Sequence, residues 1–152
     1  MSRAGRLRRA LPPLARALLV AVGVSPFIPS LTQGVPGLSV IGEALGGWFG
    51  FQCSRDPGRT LHVLGDALPV CVRCLGIYLG LGLGGALARP KLEVWPLRLW
   101  VAVAALAMIL DVMTESLGLR PPWAPLRLAT GLALAYPVGV AVVSSARDLG
   151  TA

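Results

Sequence analysis

Four long apolar stretches constrain this 152-residue chain more than any other feature. Ala17 to Leu31 carries no charge and extends back past Arg16 to Leu11. Leu68 to Ala88 is interrupted only by Arg73, Leu99 to Leu119 only by Asp111 and Glu115, and Leu128 to Ala146 by nothing. Each approaches the ~20 residues that a helix needs to cross the hydrocarbon core. Backbone groups inside a bilayer must be satisfied internally, which helices and closed barrels alone achieve, and nothing here alternates with the period of a strand. Only 14% of the residues are charged, against roughly a quarter in a soluble domain, which weighs against a soluble apolar bundle. The expected fold class is all-α, a single membrane domain over residues 1–152. It is an integral bundle of about four transmembrane helices, at about 11–31, 68–88, 99–119 and 126–146.

The net charge of +7 is distributed in a way that speaks for topology rather than for nucleic acid. Arg3, Arg6, Arg8, Arg9, Arg16, Arg89, Lys91, Arg98 and Arg147 fall on one side of the expected membrane, with only Glu93 and Asp148 against them. On the other side Arg55, Arg59, Arg73, Arg120 and Arg127 are balanced by Glu43, Asp56, Asp66, Asp111 and Glu115. By the positive-inside rule both termini are cytoplasmic and the loop that leads into Cys71 faces outward. No patch mixes basic and aromatic residues as a nucleic-acid surface would, so the partner expected is the lipid bilayer. A cleavable signal peptide competes for the first 30 residues. No Ala-x-Ala site follows, however, and Pro26 and Pro29 stand where cleavage would fall, so an uncleaved first helix is the better reading.

Between the first two helices lies an outer loop, 32–67. Within it, Leu38 to Phe51 is apolar but too short to span, and reads as an interfacial or re-entrant helix with Trp48 and Phe49 at headgroup level. From Gln52 to Asp66 the chain is polar, with a turn at Pro57-Gly58. The second helix carries Gly76, Gly80 and Gly84 at i, i+4 and i+8, the small-residue face that lets membrane helices pack closely. That face could serve a homo-oligomer or another membrane protein.

The residues that could carry chemistry gather at the outward level. Cys71, Cys74 and Tyr78 are spaced i, i+3 and i+7 on one face of the second helix. Asp111 lies eight residues before Leu119, ~12 Å below the outer end of its helix. A carboxylate at that depth costs ~2.5–3.5 kcal/mol on insertion scales and needs a partner. Arg73 and Arg127 are at its level. Three readings of the cysteines compete. Cys53, Cys71 and Cys74 with His62 make the Cys₃His set that zinc accepts, although Cys53 and His62 do not form a standard knuckle. A Cys-x-x-Cys beside Arg73 at a helix end is also suited to thiol redox chemistry, with Cys71 and Cys74 as the working pair. A structural disulfide is the third reading, and the odd cysteine count would leave one thiol over.

These residues form a pattern. Cys53, Arg59-Thr60, the run Leu68-Pro69-Val70-Cys71-Val72-Arg73-Cys74-Leu75-Gly76-Ile77-Tyr78-Leu79-Gly80, then Asp111, Gly118-Leu119-Arg120, Arg127 and Thr130-Gly131 together resemble the small membrane proteins grouped as domain of unknown function 2085. That family's pattern has a Cys-His-Gln start, an Arg-Ser pair and a Pro-Val-Cys-Ala-Arg-Cys-Thr-Gly-Ile-Tyr core. Here Ser54 replaces the histidine and Thr60 the serine, so a histidine ligand in the loop would have to be His62. The resemblance implies a prokaryotic cytoplasmic membrane and assigns no activity.

The expected site is thus Cys53, Cys71, Cys74 and His62 around a thiophilic divalent metal such as zinc, supported by Arg73, Tyr78, Asp111 and Arg127. The alternative is a membrane thiol–disulfide oxidoreductase using Cys71 and Cys74, with a quinone held by Tyr78 and the bundle. A scaffold or assembly subunit that packs through Gly76, Gly80 and Gly84 is the third class.

Overall fold

The computed structural model describes residues 3–32, 37–53, 56–63, 65–88 and 93–151. Ser54, Arg55, Arg89 and Lys91 of the sequence reading lie outside these residues, as do the side chains of Arg3, Arg6, Arg8 and Arg9. The chain is mostly helical. Helix α1 (Arg3–Val24) passes through a 3-10 turn, Ser25–Phe27, into the short α2 (Ile28–Thr32). Pro26 and Pro29, which cannot donate backbone hydrogen bonds, sit where the geometry changes. Helix α3 (Ser39–Gln52) follows, then strands β1 (Thr60–Val63) and β2 (Asp66–Cys71), and helices α4 (Val72–Leu87), α5 (Val94–Ser116) and α6 (Ala124–Thr151).

One short hairpin interrupts the expected helical fold, and it corrects the start of the second helix. Residues 66–71 pair antiparallel with 60–63, so the helix begins at Val72 and not at Leu68. Pro69 gives the physical reason. It lacks the N–H that a helix interior or a regular ladder needs, and the register shifts between Thr60 and His62, opposite it. Gly65 makes the reversal with a φ of 93°, open to glycine at little cost. The third helix runs from Val94 to Ser116 instead of 99–119. It stops at a Schellman motif in which Gly118 (φ 69°) donates to Glu115 O and Leu119 donates to Thr114 O.

Among the described residues, three helices are long and apolar enough to cross a membrane: Ala10–Thr32, Val94–Ser116 and Ala124–Leu149. Helix α4 is apolar but shorter, about 24 Å at 1.5 Å per residue against a core of ~30 Å. It is nevertheless the centre of the molecule. Its Gly76, Gly80 and Gly84 lie on α6, where a Cβ on Gly80 would stand 2.7 Å from the Leu132 carbonyl oxygen. Added Cβ atoms on Gly76 and Gly84 would meet the carbonyls of Leu128 and Tyr136. The glycine face is therefore filled by the chain's own α6, as its helix-packing spacing predicts. A second face, with Gly82 and Gly85, meets Gly23 and Leu19 of α1 in the same way. Arg16 of α1 donates to the Ala88 carbonyl at 2.5 Å, a cation at the negative end of α4.

Helix α5 is the outlier. Only Ala104 and Asp111 are buried on it, while Trp95, Leu99, Val103, Leu106 and Leu110 are exposed. Such an apolar surface on a single helix suits lipid. It docks on α6 through Trp100, which stacks on Tyr136 at 5.7 Å and donates to the Ala133 carbonyl at 3.1 Å.

Candidate functional site

The two ends of the bundle differ. At one end the hairpin is held down by a core of Phe49, Leu68, Val70 and Leu75, all 3% exposed or less. Burying such side chains contributes about 1.5–3 kcal/mol each, enough to fix strand β2 against α3 and α4. That packing brings the three cysteines together. Cys53 is the residue after α3, anchored by its N–H to the Phe49 carbonyl at 3.0 Å. Cys71 ends β2 and is the N-cap residue of α4, and Cys74 lies in the helix's first turn. The Cys71 N–H donates to Cys53 Sγ at 3.2 Å, and the three sulfurs lie within 4.8 Å of one another. All three are free thiols, with Cys53 buried and the others half-buried.

The hydrogen bonds around Cys71 favour its thiolate. The Cys71 thiol is pushed down to about 5, chiefly by a hydrogen bond from the Cys74 thiol. Burial opposes this, while the backbone N–H groups of Cys74 and Arg73 and the Cys53 thiol reinforce it. Those N–H groups are the orphan donors of the α4 N-terminus, where negative charge is stabilised.

His62 is not brought into this cluster. It is exposed on β1, paired with Ala67 across the hairpin, and the group of sulfurs closes without it. The Cys₃His expectation is corrected to Cys₃ among the described residues. A loop reading treats His62 as free to fold over Cys53, whereas the ladder fixes it on the strand. Tyr78 does reach the site. Its ring packs edge-on against Phe49 at 5.4 Å, and its hydroxyl donates to Gln52 Oε1 at 2.5 Å. Gln52 was not singled out by sequence reasoning, although its place beside Cys53 was a usable signal.

An ionic cluster adjoins the cysteines through Arg73, the residue between Cys71 and Cys74. Arg73 Nη2 donates to Asp111 Oδ2 at 2.7 Å and stands 3.5 Å from Glu115 Oε2. Arg120 also pairs with Asp111, and its Nε donates to Thr114 Oγ1 at 3.2 Å. Arg127 grips Glu115 with both Nε, at 2.8 Å, and Nη2. Arg59 approaches Glu115 from the 3-10 turn before the hairpin, at 3.4 Å. Asp111 and Arg127, expected as partners, thus bind different mates. Glu115 sits one residue from the end of α5 and Arg127 in the first turn of α6, so these two meet across the connection. Asp111, one turn deeper, is met by Arg73 from α4 and by Arg120 curling back.

A bundle with spanning helices and a buried charged layer over a thiol cluster defines an integral membrane protein with a polar site at one end. Residues 53–141 match the family model described as predicted membrane protein, DUF2085, and the chain belongs to that family. The matched region opens on Cys53 and contains both clusters. An uncharacterized protein of Methanocaldococcus jannaschii is 33% identical over 91 residues, 57% of this chain and 58% of the relative. An uncharacterized protein of Methanothermobacter thermautotrophicus is 34% identical over 102 residues, 63% of this chain and 86% of the relative. The chain therefore spans less than two thirds of the first relative's length. No solved structure matches.

Proposed function

We propose that this protein is a four-helix membrane protein whose Cys53, Cys71 and Cys74 bind a thiophilic divalent metal, zinc by preference, as a stabilising or regulatory centre. The observation that carries the reading is the convergence of three thiols from three separate elements within 4.8 Å. Thiolates on one tetrahedral zinc, at ~2.3 Å each, stand roughly 3.8 Å apart, so the spread suits one ion. The N-terminus of α4 and the depressed Cys71 thiol favour the thiolate form that a metal requires. Arg73, Asp111 and Arg127 would hold the helices beneath it in register.

The test is metal analysis of the purified full chain. About one zinc per chain is expected, lost in Cys53→Ser, Cys71→Ser and Cys74→Ser but kept in His62→Ala. A metal-free protein whose Cys71–Cys74 disulfide is re-formed by quinone after reduction would overturn it in favour of the second reading, a thiol–disulfide oxidoreductase. There Cys71 attacks and Cys74 resolves, and two electrons and two protons pass from the dithiol to a quinone, giving a disulfide and a quinol. The low thiol pKa of Cys71 is what favours that reading.

The fourth span is α4, since it packs between α1 and α6, two helices of spanning length. The charge pattern then places both termini in the cytoplasm and the cysteines on the outer side of a prokaryotic cytoplasmic membrane. The archaeal sources of the relatives support that membrane. Green fluorescent protein fused to either terminus should fluoresce. Alkaline phosphatase activity from a fusion at either terminus would reverse the orientation.

A further inference from the structure

A centre with three cysteine ligands would leave a tetrahedral ion one position short. A cavity of about 120 Å³ lies beside the sulfurs, lined by Gln52, Cys53, Val70, Cys74, Ile77 and Tyr78. At ~30 Å³ per water it has room for roughly four water molecules or one small organic ligand. Two of the three cysteines, Cys53 and Cys74, line it. Tyr78 and Gln52 line it as well, the Tyr78 hydroxyl donating to Gln52 Oε1. Among the described residues, the sulfurs have no histidine, aspartate or glutamate close enough to close the set. Structural zinc sites are typically closed by four protein ligands, whereas a site with three keeps its fourth position for water or substrate.

We propose that the cysteine centre is an open one, whose fourth position takes an exchangeable small Lewis base from this cavity, oriented by Tyr78 and Gln52. The proposal rests on the metal reading above. Charge narrows the class of ligand. Three thiolates on a divalent ion already carry a net negative charge. Arg73, the nearest cation in sequence, is engaged with Asp111 at 2.7 Å. A fourth anionic ligand would add uncompensated charge beside an apolar wall of Val70 and Ile77. A neutral nitrogen or oxygen donor, such as water or an imidazole, fits better than a thiolate.

The experiment uses the full chain in detergent with cobalt(II) in place of zinc, because its visible d–d bands report the fourth ligand. Imidazole and azide are titrated separately. The expected result is a saturable one-to-one spectral change with imidazole and a much weaker one with azide. Tyr78→Phe and Gln52→Ala should bind cobalt normally, yet need roughly fivefold more imidazole, the size of one neutral hydrogen bond. Cobalt bands that ignore both titrants would overturn the open site while leaving the metal reading intact. So would a wild-type imidazole response in both variants, for the orienting role. A chain that takes up no cobalt at all would instead remove the metal reading.

Discussion

Gly80→Leu should abolish the ordered protein, at a loss of about 3 kcal/mol or more. The expectation follows from what surrounds that position. A single Cβ there would stand 2.7 Å from the Leu132 carbonyl oxygen, 2.9 Å from Ala135 Cβ and 3.0 Å from the Tyr136 backbone nitrogen. Two of these are backbone atoms of α6, which cannot swing aside as a flexible side chain can. Accommodation requires α4 and α6 to separate, and Gly76 and Gly84 tie the same two helices one turn to either side. Gly80→Ala should already destabilise the chain, although alanine is the better helix former by about 1 kcal/mol. Gly47→Ala on α3 makes the contrast, since nothing lies within 4 Å of a Cβ built there. The same exchange at that site should leave stability unchanged or raise it slightly. Thermal unfolding in detergent, followed by size-exclusion chromatography and circular dichroism, reads all three variants. A Gly80→Leu protein that elutes and melts like the parent would mean that α4 and α6 do not pack as described.

That glycine face was legible in the sequence because close approach leaves a periodic mark: residues small at every fourth position. That the first, third and last apolar stretches form helices of spanning length was legible for an equally direct reason, since the bilayer sets that minimum, whereas α6 runs on to Thr151, past the expected 126–146. The hairpin was hidden. Leu68, Pro69 and Val70 are all buried, so β2 lacks the in–out alternation that marks a strand and reads as the first turn of an apolar helix. Pro69 alone argued otherwise. The site shows the same division. That Cys71, Cys74, Asp111 and Arg127 share one level follows from helix rise and charge cost. Which cation meets which carboxylate depends on helix rotation and on the path of a connection, and neither leaves a periodic trace. His62 is kept apart from the sulfurs by strand pairing, which is set by residues on the far side of the turn.

The ionic layer yields the second large effect, and its asymmetry is the informative part. Arg127 is 3% exposed, and the carboxylate it meets among the described residues is Glu115. Glu115 has Arg73 at 3.5 Å and Arg59 at 3.4 Å in addition. Glu115→Leu therefore strands a buried guanidinium, whereas Arg127→Leu leaves the carboxylate with two cations nearby. Breaking a buried pair from one side typically costs about 3–5 kcal/mol, while replacing both members by apolar residues is often close to neutral. Glu115→Leu should fall in that range, Arg127→Leu should cost clearly less, and the double variant should recover most of what Glu115→Leu loses. A double-mutant cycle on thermal or denaturant unfolding measures the coupling. If the two single losses simply add, the bidentate contact between α5 and α6 is not holding the helices. The consequence reaches the cysteines through Arg73, which spans from the Cys-x-x-Cys turn to both carboxylates. With Glu115 gone, Arg73 keeps Asp111 as its carboxylate partner among the described residues. Under the proposed metal reading, metal retained by Glu115→Leu and lost more readily by Asp111→Leu would show that the Arg73–Asp111 pair is what steadies the turn bearing Cys71 and Cys74.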